Sequence, residues 1–136
     1  MQLEEQFNMV LQDISTLDDI QLLVDTFYEK IRKDALLGPI FNEKIGDNWS
    51  AHLQRMYKFW QTVLLDEHTY FGAPFPPHAQ LPVEMEHFNH WLSIFSDTVM
   101  SLFSGEKADK AVWQGQRMAE IFHSKIESRK LIDKSE

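Results

Sequence analysis

Four of the chain's five prolines lie between Pro74 and Pro82. Proline has no amide hydrogen and its ring clashes with the preceding turn, so no long helix runs through that stretch. Gly72 punctuates the chain just before it. Elsewhere the apolar residues recur at helical spacings, and strand-type alternation is sustained nowhere. The pattern predicts an all-α protein with roughly five helices and one long irregular segment.

The helices can be placed from the spacing. Leu3, Phe7, Val10, Leu11 and Ile14 share a face and predict an N-terminal extension helix within residues 1–14. Ser15 and Thr16, followed by Asp18 and Asp19, form a helix start signal. The stripe Ile20, Leu23, Val24, Phe27, Tyr28, Ile31 then runs toward Asp34, ahead of the punctuation Leu37-Gly38-Pro39. Ile40 and Phe41 are expected in a short turn. A further helix begins near Asp47–Asn48 and carries Trp49, Leu53, Met56, Phe59, Trp60, Val63 and Leu64. After Pro82 come Val83, Phe88, Trp91, Leu92, Phe95, Val99, Leu102 and Phe103, up to the break at Ser104-Gly105. The last helix carries Ala108, Val112, Trp113, Ala119, Phe122 and Ile126. No repeat, low-complexity segment or linker interrupts the pattern, so residues 1–136 read as one domain.

Composition narrows the chemistry. With 43% apolar residues the chain can build a core, and 12% aromatics can fill that core or line a pocket for something flat. Cysteine is absent, which excludes disulfides, cysteine zinc sites, iron–sulfur clusters and thiolate haem ligation. A net charge of −8 argues against a nucleic-acid partner. No basic-then-apolar leader or ~18-residue apolar run is present, so a cytoplasmic location away from membranes is expected.

Among the six histidines, two have informative settings. His52 shares a helical stripe with Trp49 and Met56. His78 sits in Pro76-Pro77-His78-Ala79-Gln80-Leu81-Pro82, a stiff segment presenting one imidazole. Tyr28 and Trp91 fall on apolar stripes, and burial would leave a polar hydrogen on each in need of a partner. Taken singly, His52 reads as a core histidine, His78 as an ordinary loop residue, and the two aromatics as core side chains. Taken together they would suit the lining of a flat apolar cofactor with one coordination point and a polar far side.

Seven blocks occur in order over residues 20–126. They are Phe27-Tyr28-Glu29-Lys30-Ile31-Arg32, Leu37-Gly38-Pro39-Ile40-Phe41, Trp49-Ser50-Ala51-His52, Phe59-Trp60, Tyr70-Phe71-Gly72-Ala73-Pro74, His78-Ala79-Gln80-Leu81-Pro82, and His87-Phe88-Asn89-His90-Trp91-Leu92 continuing to Phe95. In this order and spacing the chain resembles a group III truncated haemoglobin, a small bacterial globin. It has no Gly-Gly pair, a feature of the other truncated groups that group III typically lacks.

The resemblance implies a shortened globin fold, helices packed two over two around haem b, with the proline-rich segment leading to His78 as the proximal iron ligand. It implies Tyr28, His52 and Trp91 on the distal side, with Phe41, Phe59 and Phe88 contacting the porphyrin and Met56 and Phe95 beside them. Met56 stands where the family often has a branched aliphatic. The expected ligands are O2, NO, CO or peroxide, supported by an unidentified reductase. Strong distal donors favour NO dioxygenase-like or peroxidase-like chemistry over O2 delivery. The alternatives are a haem-based gas or redox sensor and a haem-free helical interaction module. His52 could instead itself bind the iron. A monomer or weak dimer is expected.

Overall fold

The computed structural model describes residues 10–70 and 83–135, with side chains described as far as Ser128 and at Lys130. The expectations for Leu3, Phe7, His78 and the rest of the proline-rich segment lie outside these residues. The described elements are all helices: α1 (Leu17–Lys33), α2 (Gly38–Ile45), α3 (Trp49–Leu65), α4 (Met85–Leu102) and α5 (Glu106–Ser135). Among the described residues no helix is long and apolar enough to cross a membrane.

Local chemistry sets the helix ends. Thr16 and Asp19 form a reciprocal capping box that starts α1, and the Asp19 carboxylate also accepts the Ser15 amide. The helix stops at Asp34, whose extended backbone breaks the hydrogen-bond ladder. Its carboxylate accepts the amides of Leu36 and Leu37 at 3.0 and 2.9 Å and turns the chain into α2. At that corner a Cβ on Gly38 would lie 2.8 Å from the Arg32 carbonyl oxygen, so only glycine fits.

Three expectations are corrected. Ile40 and Phe41 belong to α2, an eight-residue helix, rather than to a short turn. Pro39 sits in its first turn, where a missing amide hydrogen breaks no helical bond. The helical spacing at the N-terminus does not hold where it can be seen, because residues 10–15 form no helix. Their polar groups bond to the other end of the fold instead. The Gln12 carbonyl accepts the Ser104 amide, and the Asp13 carboxylate accepts the amides of Lys107 and Ala108 at 3.0 and 2.9 Å. Asp13 thereby caps α5 from a distant part of the sequence, and Ile14 is buried beside it. Trp113, expected on the buried stripe, is 55% exposed with the Arg117 guanidinium over its ring.

The helices pack in two pairs. α1 lies on α3, α4 lies on α5, and the pairs join through α1 against α4 and α3 against α5. This is the two-over-two arrangement of a shortened globin fold. Thr98 is buried at the α1–α4 contact, where its hydroxyl donates to the Ile94 carbonyl and accepts from Lys30 Nζ.

Burial alone would raise the Asp13 carboxyl, but the amides of Lys107, Ala108 and Ile14 outweigh it and hold the group below its usual range. A depressed folded value stabilises the fold above the ordinary carboxylate range, and that stabilisation is lost as pH falls through the folded value. Asp13→Ala should therefore cost about 1 kcal/mol at neutral pH, the usual worth of a helix cap. The deficit should shrink toward strong acid. Urea unfolding of both proteins at a series of pH values checks this.

Candidate functional site

The pocket is organised around one ring. Phe95 on α4 is 1% exposed. Trp91, one turn earlier, stacks on it at 5.3 Å and 7°, and Trp60 from α3 stacks at 5.1 Å and 19°. Phe27 from α1 meets both Phe95 and Trp91 edge-on. From α5, Gly115 lets the helix close on this stack, since a Cβ there would stand 3.1 Å from the Phe95 ring.

This stack borders a cavity with about 840 Å³ of atom-free space, part of it continuous with solvent. α1 supplies Phe27 and Tyr28, and the following corner and α2 supply Leu37 and Phe41. Met56, Phe59 and Trp60 come from α3. Val83, His87, Phe88, Trp91 and Phe95 come from α4 and its approach. Met118, Ala119 and Phe122 come from α5. The helical stripes bring these residues together because each helix turns its apolar face inward.

Among the described residues the lining carries no Asp, Glu, Lys or Arg. The donors these residues contribute are the Tyr28 hydroxyl, the Trp60 and Trp91 indoles and the His87 imidazole. Burial pushes the Tyr28 phenol well above its ordinary value, so it remains a neutral O–H donor at physiological pH. Flat aromatic walls, an uncharged lining and a few placed donors fit a large planar apolar group. Among the described residues no cluster of three or more His, Asp or Glu side chains could hold a bare metal ion.

Of the residues singled out from sequence, Tyr28, Phe41, Met56, Phe59, Phe88, Trp91 and Phe95 line the cavity. His52 does not. Its ring packs edge-on against Tyr28 at 5.0 Å and Trp49 at 5.7 Å, beside the cavity wall. His78 lies outside the described residues. The lining also takes in Trp60, Val83, Met118 and Phe122, which the sequence marks only as apolar. Met118 is not among the residues expected on the α5 stripe, although it lies one turn before Phe122 on the same face.

His90, still partly exposed, lies with Nε2 2.7 Å from Asp34 Oδ1 and ties α4 to the corner after α1. Arg32, Arg55 and Lys58 carry no lining contact. Arg32 lies over the Trp49 ring at 4.6 Å, and the other two side chains are exposed.

The sequence matches the bacterial-like globin family over residues 10–125. It is 34% identical over 113 residues to the group 3 truncated hemoglobin of Campylobacter jejuni, covering 80% of this chain and 89% of that protein. A crystal structure of the group III truncated hemoglobin from Campylobacter jejuni superposes with a TM-score of 0.78 at 34% identity, covering 87% of this chain and 95% of that one. The chain belongs to the bacterial-like globins and, among them, to the group III truncated haemoglobins. The globin family implies a haem cofactor and small gaseous ligands such as O2.

Phe95→Ala tests the keystone. It removes a buried ring stacked on two others, so it should destabilise the protein by about 3–5 kcal/mol. Chemical denaturation of the two proteins under one condition measures the difference.

Proposed function

We propose that the pocket holds haem b, with His78 as the protein ligand to iron, and binds O2 and related small molecules tightly for redox chemistry with NO or peroxide. The observation that carries this reading is the convergence of Tyr28 from α1 and Trp91 from α4 on one apolar cavity in a globin chain. The porphyrin faces would lie among Phe41, Met56, Phe59, Phe88 and Phe95. Haem, when bound, supplies an iron that takes a small ligand at an open position and exchanges electrons with it.

This chain's residues govern what happens to that ligand. Tyr28 offers a neutral, buried O–H and Trp91 an N–H, both from the wall of one largely apolar cavity. Dioxygen and peroxide gain negative charge as they take up electrons, and fixed donors in a low-dielectric pocket stabilise that charge. A hydrogen bond to a charged group contributes roughly 1.5–3 kcal/mol, so two of them would slow O2 loss by roughly 10²–10⁴-fold. Retention of that order suits oxidation of NO or reduction of peroxide better than delivery. His52 packs against Tyr28, which gives it a positioning role on the distal side. Its place beside the wall favours an open sixth position over a His52-ligated one. The same aromatic, donor-bearing cavity speaks against the haem-free module, which would be expected to fill with aliphatics.

Stopped-flow O2 dissociation from the ferrous protein tests the donors. Tyr28→Phe and Trp91→Phe should each speed release by roughly 10- to 100-fold, one charged hydrogen bond apiece. Off-rates within twofold of the unsubstituted protein in both variants would contradict the reading.

A further inference from the structure

His87 is one of two lining donors, with Trp60, that the distal chemistry leaves unused, and its ring is fixed in place. It occupies the third position of α4, where its backbone amide bonds the Glu84 side chain while the Glu84 amide donates to His87 Nδ1 at 2.9 Å. A ring nitrogen that accepts carries no hydrogen, so the neutral ring's hydrogen sits on Nε2, at the other edge. That edge belongs to a side chain in the cavity wall. A protonated Nε2 has no lone pair for iron. His87 is therefore built as a donor rather than as a metal ligand.

Its surroundings place this donor at the solvent edge of the cavity. Glu84 is exposed, and Val83, which lines the cavity, passes its carbonyl outward to Lys130 Nζ at 3.2 Å. Lys130 Nζ also lies 2.9 Å from Glu84 and 3.3 Å from Glu127, so these two carboxylates are partly compensated. His123, packed on Phe88, stands 3.7 Å from Glu127. Haem is apolar across its faces and carries two carboxylates on its rim, which belong where a pocket meets water. A fixed neutral N–H at that boundary is matched to such an acceptor.

We propose that His87 Nε2–H binds a rim carboxylate of the haem and so fixes the cofactor's rotation in the pocket. This inference rests on the haem reading above.

The test is haem loss to excess scavenger globin, measured for protein reconstituted with haem and with haem dimethyl ester, whose carboxylates are masked. His87→Leu should release haem roughly tenfold faster than the unsubstituted protein, the low end for a charged hydrogen bond near solvent. With the dimethyl ester the same substitution should change the rate less than twofold. His87→Gln, which retains a donor of similar reach, should recover most of the retention of ordinary haem. Equal acceleration with both cofactors would make His87 a packing residue and overturn the proposal, as would no acceleration with either. Failure of the unsubstituted protein to take up either cofactor would overturn the haem reading itself.

Discussion

Phe95 stacks on both Trp91 and Trp60, and Phe27 meets it edge-on. These side chains come from α1, α3 and α4, and Gly115 lets α5 approach the same ring. Stacked and edge-to-face pairs each add about 0.5–1.5 kcal/mol beyond the area they bury. The larger consequence is geometric. A ring held on several sides cannot tilt, so it sets how far the helices stand apart and how wide a cavity remains between them. The pocket is the space left where the pairs α1–α3 and α4–α5 cross around this stack.

Polar contacts at the corners keep those pairs in register. Asp34 ends α1, turns the chain into α2 and reaches His90 on α4, next in sequence to Trp91. Asp13 caps α5 from the opposite end of the sequence. Both carboxylates carry lowered values despite burial, because each accepts several donors. Among the described residues the cavity lining is free of fixed charge. Its few donors therefore act in a poorly screened setting, where a hydrogen bond to a charge-gaining ligand counts for more than it would in water.

The long helices were legible because their signals are local. Thr16 with Asp19, the stripe from Ile20 to Ile31, and the spacing from Phe88 to Val99 each carry a start, a face or a period. What failed depends on contacts remote in sequence. Residues 10–14 have helical spacing, yet Asp13 is worth more as a cap on α5 than inside a helix of its own. Trp113 matches its stripe by rough spacing but falls two residues from Gly115, on the outer side of α5. Leu37-Gly38-Pro39 reads as punctuation and instead opens α2, since proline is as acceptable in a first turn as in a loop. At the site, Tyr28 and Trp91 stood out by pairing a polar hydrogen with a buried stripe. His90 could not be read this way, because its partner Asp34 lies on another element.

Haem binding by this aromatic cavity can be read directly. Its most direct test is the absorption spectrum of the apoprotein titrated with hemin. A strong violet band should grow to saturation at one haem per chain and persist through gel filtration. A titration with no such band beyond that of free hemin would contradict haem binding.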